Sequence, residues 1–115
     1  MIQNWPYADR DDLLRLKSIR ILLGRRPQLI TILFDPRFAR LRSSPEDIFC
    51  SIGGLSHGEI ILVSLAMDIW NGSGETNLYE AIRALDDACW NNFLNALAVF
   101  SHQKESSHNE VSIDL

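Results

Sequence analysis

The stretch Leu55-Ser56-His57-Gly58-Glu59-Ile60-Ile61-Leu62-Val63-Ser64-Leu65-Ala66-Met67-Asp68-Ile69-Trp70 decides the fold. Ser56 and Glu59 stand at the S-x-x-E spacing of a capping box. At that spacing each side chain takes up a backbone N–H that the first turn of a helix leaves orphaned. Leu55 and Ile60 hold the two positions of a hydrophobic staple around the cap. From Ile60 onward the run is apolar almost all round, broken by Ser64 and Asp68. A helix without a broad polar face belongs inside a domain. The run is also well short of the ~20 apolar residues a bilayer requires. Asn71-Gly72-Ser73-Gly74 ends it with a turn. The reading is a central helix over about 56–70, with the rest of the chain folded around it.

Toward the C-terminus, Asn77 caps a further helix, with Glu80 three residues on and Leu78, Ile82 and Leu85 as its apolar face. Asp86 caps the last helix, which runs to about Ser101 and packs against the central one, with Leu85 and Trp90 as a second staple. Trp90, Phe93, Leu94, Leu97 and Phe100 form its inward face, and Asn91, Asn92, Asn95 and His102 the opposite one. From Lys104 the chain turns polar, and 104–115 reads as a flexible tail. Its last five residues, Val111 to Leu115, alternate like a strand that adds to a partner's edge.

Toward the N-terminus, Ser44-Pro45-Glu46-Asp47 is a helix start, with an N-cap serine, proline at the first position and acids in the first turn. Gly53-Gly54 stops that helix early. Arg37 to Arg42 is a basic connector or a single turn. Pro27 opens a short helix with the body Gln28 to Phe34; its composition also suits a strand, but no partner strand is visible. Asp9 precedes the first helix, about 10–23, which has Asp11 and Asp12 in its first turn, Leu13, Leu16, Ile19, Leu22 and Leu23 at helical spacing and Gly24 as C-cap. Trp5-Pro6-Tyr7 is either docked on the bundle or an exposed anchor. The expected fold is all-α: one domain, 1–103, of five to six helices around the buried central helix.

The 115 residues are 46% apolar, with a net charge of -4. A chain of this size buries roughly 65% of its unfolded surface, enough for a core without metal or disulfides. No basic segment followed by an apolar one marks a signal peptide. Cys50 and Cys89 match no redox or metal spacing and read as reduced, buried thiols of a cytoplasmic protein. Charge is uneven. Residues 1–50 hold nine Lys/Arg and six Asp/Glu, whereas 51–115 hold two and nine. Such asymmetry marks a charged partner, or two halves that neutralise each other.

Three constellations bear on chemistry. Leu55-Ser56-His57-Gly58-Glu59 resembles the signature loop of ABC-type ATPases, whose common form is Leu-Ser-Gly-Gly-Glu/Gln before an apolar helix. The resemblance covers about 15 residues and implies phosphate contact by Ser56 and Gly58 at a helix N-terminus. No G-x-x-x-x-G-K-[ST] cradle accompanies it, and His57 stands where the family has glycine. His57, Ser64 and Asp68 share one helical stripe, but His57 and Ser64 lie roughly 10 Å apart along the axis. A nucleophile and its base require about 3 Å, so the stripe is the polar edge of a buried helix. The His102/His108 and Cys50/His57 pairs match no zinc spacing. No catalytic residue, cofactor or metal is expected.

Two surfaces remain. Arg25, Arg26, Arg37, Arg40 and Arg42 bracket the short second helix and suit phosphate or carboxylate, with Phe34 and Phe38 nearby to stack on bases. Glu75, Glu80, Asp86 and Asp87 make an acidic stretch. The leading expectation is a non-enzymatic protein-binding module, an adaptor or an inhibitor, whose acidic face mimics phosphate charge and blocks a nucleic-acid-binding complex. A nucleic-acid binder using the arginines is second, and a nucleotide-linked accessory protein is third. No membrane contact is expected; a homo-oligomer is compatible with the apolar central helix.

Overall fold

A computed structural model describes residues 9–108, with side chains through Ser101. Trp5-Pro6-Tyr7, the His102 and His108 side chains and the 109–115 end lie outside the described residues. The fold is all-α, with six helices among the described residues: α1 Arg10–Leu23, α2 Leu29–Leu33, α3 Pro45–Ser51, α4 His57–Asn71, α5 Leu78–Ala84 and α6 Asp87–His108. The backbone of α6 is helical to His108, beyond the Ser101 end read from the sequence.

The caps stand where the side-chain chemistry puts them. Asp9 accepts from the Asp12 N–H, Ser44 from Asp47, Ser56 from Glu59 and Asn77 from Glu80. Asp86 accepts from the Cys89 N–H at 2.8 Å and so caps α6. The Ser56–Glu59 capping box is complete in both directions, at 3.2 and 3.0 Å. Gly72 closes α4 in the left-handed region, φ 79, which glycine enters without a Cβ penalty.

Helix α4 is central, as expected, with Ile61 to Met67 buried without interruption. Helix α1 supplies Leu16, Ile19, Leu22 and Leu23 to the same core, and α2 supplies Leu29 and Leu33. Each large apolar side chain taken from water contributes roughly 1.5–3 kcal/mol. Helix α2 is shorter than Gln28–Phe34. The chain is extended at Phe34, which forms an isolated antiparallel bridge with Leu41. The segment 37–42 is therefore a connector and not a helical turn.

Three packing expectations are corrected. Helix α6 lies chiefly along α1 and not along α4. The buried Ser18 hydroxyl donates to the Ala96 carbonyl at 2.7 Å, and a Cβ on Gly24 would meet the Asn92 amide. Ser18 and Ala96 are both fully buried, and their small size lets the helix backbones approach. The inward stripe of α6 thus runs through Phe93 and Ala96, while Leu94 and Leu97 are exposed. Asn92 correspondingly faces the end of α1. On α5 the inward residues are Ala81 and Leu85, while Leu78 and Ile82 face solvent. Finally, Cys50 is exposed and Cys89 half-buried; both are free thiols, but neither is a core residue.

Arg26 fixes the helix directions. It lies 3.5 Å from Glu59 at the start of α4 and 3.6 Å from the Cys89 sulfur at the start of α6. Arg15, near the start of α1, sits over the Trp70 ring at the end of α4, 5.0 Å from its centroid. Helices α4 and α6 therefore run the same way, and α1 runs antiparallel to both.

Candidate functional site

Every member of the polar stripe of α4 is accounted for locally. His57 Nε2 lies 3.3 Å from Glu80 on α5. Ser64 donates back to the Ile60 carbonyl. Asp68 accepts three backbone N–H groups, from Gly74, Glu75 and Thr76, at 2.9, 3.0 and 3.1 Å. One carboxylate thus ties the whole 72–76 turn down onto α4. The turn comes so close that a Cβ on Gly74 would overlap the Ser64 carbonyl. Glu75 then takes a positive φ of 52. No signal beyond the Gly72-Ser73-Gly74 composition pointed to this anchoring.

The ABC-like segment is likewise engaged in holding helices. Ser56 and Glu59 cap each other, Glu59 also pairs with Arg26, and Gly58 lies beneath the Ala84 carbonyl of α5. A shallow recess of about 400 Å³ beside it is lined by His57, Tyr79, Glu80, Arg83 and Ala84. Its polar groups are mutually occupied, since Arg83 donates to the Tyr79 hydroxyl at 3.1 Å.

The five arginines do not form one face. Arg26 belongs to the α1–α4–α6 node, and Arg25 and Arg26 both lie near Asp86. The Asp86 carboxyl is held below its ordinary value by the Cys89 N–H first, then by the Cys89 thiol and these two guanidiniums. Burial, with Asp86 alongside, raises the Cys89 thiol, so this cysteine is not an activated thiolate. Arg42 donates to the Thr31 carbonyl. Arg37 and Arg40 lie 3.9 and 3.7 Å from Asp35 and over the exposed Phe38 ring. The Asp35 carboxyl is lowered first by the Arg37 N–H, then by the Phe38 N–H and the two guanidinium charges. Phe34 is unavailable for stacking on a ligand: it is buried edge-on against Trp70, with centroids 5.1 Å apart.

The acidic residues lie along the turn, α5 and the start of α6. Glu75 is exposed, Glu80 pairs with His57, Asp86 caps α6, and Asp87 is exposed in its first turn.

What sequence reasoning missed is a groove. Helices α4 and α6 are separated by an open apolar groove of about 240 Å³, lined by Leu65, Ile69, Leu78, Phe93, Leu97 and Phe100. Asp68 and Thr76 complete its wall. Leu78 and Leu97 line the groove, and Ile82 and Leu94 extend the apolar surface by one helical turn from each. Leu78, Tyr79 and Ile82 are 59%, 64% and 54% exposed. The signal was available in an excess of large apolar residues over the positions one face of α5 or α6 can bury.

Among the described residues no three His, Cys, Asp or Glu side chains gather as a metal site, and no helix is long and apolar enough to cross a membrane. No protein-family model, curated protein or solved structure matches this chain.

Proposed function

We propose that this chain is a protein-binding module, an adaptor or inhibitor that acts by occupying a partner's surface through α4, α5 and α6. The observation that carries the reading is the exposed apolar surface of Leu78 and Leu97 in the groove, with Ile82 and Leu94 one helical turn from each. Single exposed leucines are ordinary, whereas a contiguous set beside a concave apolar site marks interaction. The groove also falls below the ~300–1,000 Å³ typical of small-molecule sites. Its shape suits a few projecting side chains of a macromolecule. The acidic residues Glu75, Glu80, Asp86 and Asp87 flank this surface in sequence and select the charge of the partner.

The test is site-specific photo-crosslinking in cells of the source organism. A crosslinking amino acid at Ile82 or Leu94 should trap one discrete protein, and the same group at the exposed Lys17 or Gln28 should not. No adduct from Ile82 or Leu94, or the same adducts from all four positions, overturns the reading.

A second reading rests on Phe38, exposed between Arg37 and Arg40 as a base-stacking platform would be. It expects binding of single-stranded nucleic acid that weakens steeply with salt and is lost in Phe38→Ala. Asp35, beside both guanidiniums, counts against it.

A further inference from the structure

We infer that residues 73–85, the turn together with α5, form a strap over α4 that is latched by Asp68 and opens as a unit while the rest of the fold stays closed. This goes beyond the protein-binding reading and stands without it. Three observations converge.

The first is how little holds α5 down. Of its seven residues Ala81 is buried, whereas Leu78, Tyr79 and Ile82 are all more than half exposed; Leu85, just beyond it, completes the buried set. Its packing partner is chiefly α4. There Gly58 lies beneath the Ala84 carbonyl, and His57 meets Glu80 in an exposed pair. Pairs so exposed hold little. In α4, by contrast, Ile61 to Met67 are buried without a break. Segments with few buried apolar contacts are the ones that open locally. A helix of two turns does not persist once it is undocked.

The second is where the strap begins and ends. The Gly72 N–H closes α4 on the Met67 and Asp68 carbonyls. Asp86 caps α6 through the Cys89 N–H. Both flanking helices are thus terminated by their own residues and take nothing from α5. Leu85 is extended, with φ -87 and ψ 135, so α5 does not continue into α6 as one rod.

The third is the latch. The strap enters through Gly74, Glu75 and Thr76, and all three N–H groups donate to the Asp68 carboxylate. Bonds to a charged acceptor are the strong ones. Holding them keeps Glu75 at a φ of 52, and release relieves that strain. Opening also uncovers Ile61, which shares the face of α4 that carries Gly58, Ser64 and Asp68. The open form therefore presents a more apolar α4 than the closed one.

The test is native-state amide hydrogen exchange on the full chain, corrected for intrinsic rates. Amides of 74–76 and 80–85 should exchange at least about tenfold faster than those of 63–70 in α4. Ser18→Ala, which weakens the separate α1–α6 contact, distinguishes local from global opening. It should speed exchange in α4 about fivefold and leave the strap's rates unchanged. Asp68→Asn should speed exchange of the strap roughly five- to tenfold. Strap amides that exchange at the α4 rate, or that quicken along with α4 in Ser18→Ala, overturn the strap, because the segment then opens only when the whole chain unfolds. Strap rates that stay unchanged in Asp68→Asn overturn the latch. The crosslinking from Ile82 and Leu94 judges the protein-binding reading separately.

Discussion

Asp68 shows how much one side chain organises. Its carboxylate accepts three N–H groups of a turn that has no regular structure of its own. Hydrogen bonds to a charged acceptor contribute more than neutral ones, so Asp68→Ala should cost about 2 kcal/mol or more. Urea unfolding measures this, and Asp68→Asn, which keeps one acceptor oxygen, should lose less. Gly74→Ala forces a Cβ into the Ser64 carbonyl and should cost about 1–3 kcal/mol, the range for overpacking. Glu75 points the other way. Its left-handed backbone carries a penalty of roughly 1–2 kcal/mol that glycine escapes, though glycine is the more mobile when unfolded. Glu75→Gly should therefore leave stability unchanged or raise it by up to about 1 kcal/mol in the same urea unfolding.

At the level of helices, α4 depends on its start and α6 on its fit to α1. Ser56→Ala removes the acceptor for the Glu59 N–H and should cost about 1 kcal/mol. Glu59→Ala should cost at least as much, because it also strips Arg26 of its carboxylate. Ser18 is the more sensitive test of packing. Ser18→Leu adds bulk where α1 and α6 are closest and should destabilise by about 1–3 kcal/mol, and Ser18→Ala by about 1 kcal/mol through the lost hydrogen bond to Ala96. Asp86 and Asp35 give the fold an acid-side pH dependence. Both carboxyls lie below their ordinary 3.8, so the unfolded chain binds protons more readily. Their contribution is complete above about that pH and is lost as pH falls through the lower, folded values. Thermal melts between pH 6 and pH 2 should show the midpoint falling below about pH 4, with a shallower fall in Asp86→Asn.

Across the molecule, α4 is enclosed by α1, α2 and α5, and its Leu65 and Ile69 share a groove with Phe93, Leu97 and Phe100 of α6. A chain of 115 residues has limited surface to spare for its core, and this one leaves large apolar groups of α5 and α6 in water. Leu94→Ser, at an exposed position, should therefore cost little stability, within about 0.5 kcal/mol as surface changes usually do, and should reduce self-association or partner capture. Unfolding and sedimentation measurements on the same protein read both quantities.

The starts of α1, α3, α4, α5 and α6, and the α4 interior, were legible from residues alone. Caps act within four residues of chain, and a run as apolar as Ile60 to Ile69 has only one place to go. Local chemistry of that kind needs no knowledge of neighbours. The direction in which α5 and α6 face was not legible, because Leu94 and Leu97 match helical spacing as well as Phe93 and Ala96 do. Which stripe turns inward depends on where small residues let backbones meet, here Ser18 against Ala96. Large apolar side chains dominate a periodicity reading and hide that choice. The groove was out of reach for the same reason. It is a gap between two helices separated in sequence by the whole of α5, set by how closely each lies to α1, and no spacing along the chain encodes a gap.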